Sequence, residues 1–111
     1  MKAGDVIITP MPQAEGQVKP RPAVVVALLA PYNDALVCGF TTQLRQEVRG
    51  FDDLILPGDA DFGGSGLKAP SVIRLGYLSV VMPHEVLFHV GFIFQLRPCL
   101  KTLKRHIEAS R

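Results

Sequence analysis

Read without a structure, the chain predicts a small, mainly β domain: a strongly curved antiparallel sheet or barrel with one terminal α-helix. Three observations carry this. Short apolar runs rich in β-branched residues alternate with clusters of Gly, Pro, Asn and Asp along most of the chain. One run, Ala23 to Leu29, is apolar at every position, the pattern of a strand buried on both faces. After Pro98, a good first-turn residue, the apolar spacing becomes helical, with Leu100, Leu103 and Ile107 on one side and Lys101, Lys104 and Arg105 on the other.

Taken in order, Gly4-Asp5 is a turn feeding a short strand, Val6 to Ile8, which Pro10 and Pro12 are expected to end. Residues 10–21 are then a stiff polar loop of functional length. The buried run from Ala23 follows, and Pro31-Tyr32-Asn33-Asp34 turns it into a second apolar strand, Ala35 to Phe40, so the two form a central hairpin. Gln46 to Phe51 is loop, and Asp53 to Leu56 a short strand. The glycines at 63, 64 and 66 belong to a surface loop, because no lysine-and-hydroxyl ending of a phosphate loop follows them. Ser71 to Val81 is a long strand, interrupted on its apolar face by Arg74 and bent or bulged at Gly76. Leu87 to Phe94 is a further candidate strand around Gly91.

A chain of 111 residues, 48% hydrophobic and 20% charged, fits one folded domain, 1–111, with a single modest core. The net charge of +2 permits nucleic-acid binding without demanding it. No apolar run is long enough to span a bilayer, and the N-terminus lacks a signal peptide's layout; a cytoplasmic protein with no membrane partner is the expectation. Cys38 and Cys99 are too few and too isolated for a disulfide framework and are expected to be reduced packing residues. Without a Cys/His cluster, neither a metal site nor a cofactor is expected.

The candidate chemistry begins at Arg21. It lies between Pro20 and Pro22 at the mouth of the buried strand, on a segment both prolines stiffen. A guanidinium there suits an anion such as phosphate, since it stays charged and binds two oxygens at once. An arginine in that position can equally pair with a carboxylate or remain solvated. In an antiparallel hairpin the end of the second strand lies beside the start of the first. That sets the hydroxyls of Thr41 and Thr42 near Arg21, with Gln43 next to them.

Gly4-Asp5-Val6-Ile7, Arg21-Pro22-Ala23-Val24-Val25-Val26, Thr41-Thr42-Gln43, and Gly66-Leu67 with Ser71-Val72-Ile73 follow the order and rough spacing of the MazF/PemK toxin family. The chain resembles that family over nearly its whole length. The resemblance implies an SH3-like small β-barrel with a C-terminal α-helix, and a homodimer. It also implies a toxin of a type II toxin–antitoxin system: a metal-independent endoribonuclease that cuts single-stranded mRNA by 2′-hydroxyl attack on the phosphate. An antitoxin would be its protein partner, blocking the RNA groove with an extended tail.

Residue by residue, the resemblance implies that Arg21 contacts the scissile phosphate, that Thr41 hydrogen-bonds there with Thr42 as a one-step alternative, and that Arg74 is a second catalytic arginine of the PemK branch. Lys19, Thr42, Gln43 and Gln17 are the expected RNA contacts. Where that branch carries an acidic residue two positions after the arginine, this chain has Gly76, followed by Tyr77. The general base must then come from elsewhere: Glu15 or Lys19, Asp52 or Asp53, or His84. Phe40, Leu44, Tyr77 and Phe88 are candidates for stacking on bases. A non-catalytic member of the fold, either a decayed toxin that binds RNA or antitoxin or a CcdB-like gyrase inhibitor, is the alternative.

Overall fold

A computed structural model describes residues 1–95 and 97–109. Among them, six strands form one antiparallel sheet: β1 (Asp5–Pro12), β2 (Val18–Leu29), β3 (Asp34–Thr41), β4 (Asp53–Ile55), β5 (Ser71–Val81) and β6 (Phe88–Phe92), followed by helix α1 (Pro98–Ala109). The order across the sheet is β4-β5-β3-β2-β1-β6, and the sheet curls into a half-barrel. The mainly β fold with a C-terminal helix is therefore as expected. None of the described helices is long and apolar enough to cross a membrane.

β2 is buried on both faces because its side chains alternate between two apolar clusters. Val24 and Val26 join Val6, Cys38, Ile73 and Leu100 on the face that α1 covers. Ala23 and Val25 join Ile7, Met11, Val37 and Val81 on the other face. Complete burial of each such Val, Ile or Leu contributes about 1.5–3 kcal/mol, so a continuous apolar run at the centre of the sheet anchors both clusters. Helix α1 is seated by Leu100 and by a cap supplied from a distant strand. The Asp53 carboxylate accepts from the backbone N–H of Leu100 at 2.7 Å and of Cys99 at 3.3 Å, satisfying donors that a helix start leaves open.

The segment 10–21 is not the loop its prolines predict. β1 runs on to Pro12 and β2 begins at Val18, leaving only a five-residue turn, 13–17. The reason lies in parity. Gln13 N–H donates to Gln17 O at 2.7 Å, and Thr9 pairs with Arg21 and Met11 with Lys19, so odd positions face their partners across the β1–β2 pair. Pro10, Pro12, Pro20 and Pro22 all occupy even positions, whose nitrogens point away from that pair, and no β1–β2 hydrogen bond is lost.

The bend expected at Gly76 is a bulge. Cys38 pairs with Leu78 but the next residue, Gly39, pairs with Arg74, so Leu75, Gly76 and Tyr77 loop out of the β3–β5 ladder. Asp52 holds this bulge: its carboxylate accepts from Leu75 N–H at 3.1 Å and from Val48 N–H at 3.0 Å.

Both cysteines are free. Burial, with help from Asp53 and Asp52, pushes the Cys38 thiol up to about 12, and the same causes raise Cys99. Since the thiolate is the reacting form, Cys38 in the native protein at pH 8 should alkylate about a hundred- to a thousandfold more slowly than a free cysteine. Mass spectrometry after a timed pulse of iodoacetamide, with and without denaturant, checks this; rapid native labelling would contradict the burial of Cys38.

Candidate functional site

The prolines that β1–β2 tolerates have a consequence on the other side of β2. An even-numbered residue in β2 turns its nitrogen towards β3, and Val24 pairs there with Cys38. Continuing the register would set Pro22 opposite Phe40, but Pro22 has no N–H to donate. The β2–β3 ladder ends at Ala23 and Gly39. Beyond that point a cavity of about 650 Å³ opens between the two strands.

Arg21, Thr41, Thr42 and Gln43 all line this cavity, as does Glu15 from the 13–17 turn. Thr41 is prepared to donate: its Oγ1 accepts from Gln43 N–H at 3.1 Å, which leaves the hydroxyl proton free. Phe40 and Tyr77 supply aromatic wall.

The remaining candidates lie elsewhere. Arg74 does not line the cavity; it sits behind Gln46 and Tyr77, which do. Its Nη1 donates to Gln46 Oε1 at 3.0 Å, its guanidinium carbon lies 5.4 Å from the Tyr77 ring centre, and its Nε is 4.0 Å from the Asp52 carboxylate. Lys19 is an exposed residue of β2 opposite Met11, and Gln17 is in the 13–17 turn; neither lines the cavity. Leu44, Phe88 and His84 are also outside it. Asp52 and Asp53 are occupied, one by the bulge and the other by the start of α1.

Lys68 is the cation that sequence reasoning missed. It lines the cavity with Gly66, Leu67 and Ala69, at the end of what the glycines predict to be a surface loop. The loop is on the surface, with Gly63, Gly64 and Gly66 exposed, but it is anchored, for Asp61 and Ser65 are fully buried. Gly66 has φ of +78° and lies against the Val90 carbonyl, while Gly91 lies against the Ser65 carbonyl. A backbone-to-backbone crossing of this kind is possible only without Cβ atoms. The spacing of glycines 66 and 91 gives no local signal of it, because the two are brought together by β6. The Ala69 carbonyl accepts from the Ser71 hydroxyl at 2.9 Å, which ties the loop to β5.

The cavity thus gathers two cations, Arg21 and Lys68, one carboxylate, Glu15, and neutral donors from Thr41, Thr42 and Gln43. That set can hold a phosphate diester on the cations and hydroxyls and still offer a proton acceptor beside it. Among the described residues no group of His, Cys, Asp and Glu is placed to hold a metal ion. Comparison with known proteins returns no matching family model and no matching curated protein.

Proposed function

We propose that this protein is a MazF/PemK-like toxin that cuts single-stranded RNA without a metal, through the cavity between β2 and β3. The observation that supports the reading is the convergence of Arg21, Thr41, Lys68 and Glu15 on one open cleft. In this reading Arg21 and Lys68 hold the phosphate and Thr41 donates to one of its oxygens. The Glu15 carboxylate takes the proton of the 2′-hydroxyl. The O2′–P bond forms as the P–O5′ bond breaks, and O5′ takes a proton from solvent. The products are a 2′,3′-cyclic phosphate and a 5′-hydroxyl. Glu15 stands in for the carboxylate that the family's PemK branch has at the position of Gly76. A homodimer, an antitoxin that covers the cleft, and action in the cytoplasm belong to the same proposal.

The wild-type protein is expected to cut a long single-stranded RNA in EDTA and leave cyclic phosphate ends. Arg21→Ala should slow the cutting about a hundred- to a thousandfold, the usual worth of one group that stabilises transition-state charge. Glu15→Gln should slow it about a hundred- to ten-thousandfold, the range for a general base. RNA left intact by folded wild-type protein overturns the nuclease reading. Retained RNA binding in that case would assign the cleft to a non-catalytic binding protein, which the glycine at position 76 favours as the second reading.

A further inference from the structure

The amides that wall one side of the cleft run in a fixed direction. A guanidinium has donors only, so the atom of Gln46 that faces Arg74 must be its oxygen. Arg74 Nη1 donates to Gln46 Oε1 at 3.0 Å, and this turns the Gln46 NH₂ the other way, where Nε2 donates to Gln43 Oε1 at 2.9 Å. The Gln43 oxygen is thereby turned towards Gln46. Gln43 Nε2 keeps both protons, and no described residue accepts them. Gln43 and Gln46 both line the cleft, whereas Arg74 stands behind them. Arg74 is itself held in place, by the Tyr77 ring and by Asp52, which the backbone of Val48 and Leu75 fixes in turn.

We propose that Gln43 presents its NH₂ to the cleft and so selects a keto base, uracil or guanine, and that Arg74 is a positioning residue acting through Gln46. The proposal rests on the RNA reading of the cleft given above. Uracil O4 and guanine O6 accept from an amide NH₂, whereas the amino groups of cytosine and adenine set donor against donor. Arg74 on this account chooses which base sits in the cleft and does not touch the phosphate.

The test uses short 2′-O-methyl oligouridine and oligocytidine, which bind without being cut, measured by fluorescence anisotropy on the full chain. Wild type is expected to prefer oligouridine three- to tenfold. Gln46→Glu keeps the contact with Arg74 but has only acceptors to offer Gln43. It must take the Gln43 NH₂ and turn the Gln43 oxygen into the cleft, so the preference should reverse. Arg74→Met should bring the ratio near one, and Arg74→Lys, still a pure donor, should restore it. The added charge of Gln46→Glu weakens both oligomers together and cancels in the ratio. The side-chain amide resonances of Gln43 report the orientation without RNA: open to exchange with water in wild type, hydrogen-bonded in Gln46→Glu. Both oligomers binding with a ratio that none of these variants moves overturns the selectivity proposal alone. Neither oligomer binding to folded wild type overturns it together with the RNA reading. An unchanged Gln43 amide in Gln46→Glu also overturns it.

Discussion

Asp61→Ala is expected to destabilise the protein by about 3 kcal/mol and to lower its melting temperature by about 10–15 °C. Asp61 is fully buried, and both of its oxygens accept from the Arg97 guanidinium, through Nη2 at 2.8 Å and through Nη1. Arg97 also donates to Leu54 O at 3.2 Å, so the pair joins the loop after β4 to the start of α1. Truncating the carboxylate leaves a guanidinium whose side chain is only 12% exposed facing a void, with only the solvent-exposed Asp59 carboxylate still on Nη2, and a poorly compensated buried charge is the costly outcome. The contrast is Asp59, the other carboxylate on Arg97, at 3.2 Å and 40% exposed on its side chain. Asp59→Ala should cost less, about 1–2 kcal/mol, because water already screens that contact and the carboxylate's other bond, from Leu56 N–H at 2.8 Å, is exposed.

Acid carries the same signature. The hydrogen bonds and charge of Arg97 hold the Asp61 carboxyl below its ordinary value of 3.8, and Arg97 is raised in return. A depressed carboxyl binds fewer protons folded than unfolded. Its contribution is complete above the ordinary value and disappears as pH falls through the lower, folded one. Urea titrations of wild type and Asp61→Asn should therefore converge as pH drops below about 4. A gap between them that stays constant with pH would mean that the ion pair contributes nothing as charge.

Gly91→Ala is expected to be at least as damaging, with a loss above about 4 kcal/mol or no folded protein. A Cβ at Gly91 would fall on the Ser65 carbonyl and 2.5 Å from Gly64 O, and both neighbours are backbone. No rotamer change relieves such a clash; the strand or the loop must move. The loop carries Gly66, Leu67 and Lys68 to the cleft, so any protein that does fold should have that wall displaced and, on the function proposed above, bind RNA less well. Gly58→Ala, where nothing lies within 4 Å of the added methyl, is the matched control and should change stability by less than about 0.5 kcal/mol. Thermal melts of the two variants decide the matter, and equal melting temperatures would show that the 64–66 and 90–91 segments do not cross as described.

Arg21 and Thr41 could be set side by side from the sequence because hairpin geometry is a local property. The strong apolar run and the turn at 31–34 determine which strand ends meet, and β2 and β3 do pair antiparallel. Arg74 was harder to place. Its strand is visible, but a bulge of three residues offsets it from β3, and the anchor of that bulge, Asp52, is remote in sequence. Lys68 carried no signal of its own, because its approach to the cleft depends on a glycine crossing with β6.

The prolines at 10, 12, 20 and 22 mark the limit most clearly. As composition they argue for a loop, and as positions they all share one parity, which a strand pair accepts. Periodicity and turn residues, acting over a few neighbours, were enough to specify the apolar centres of the strands, the terminal helix and the double-faced burial of β2, but not the proline-bearing ends of β1 and β2. What they could not specify was the cleft. It exists because Pro22 denies β3 a hydrogen bond and because a distant loop closes the far wall, and both are contacts between segments that only the folded chain brings together.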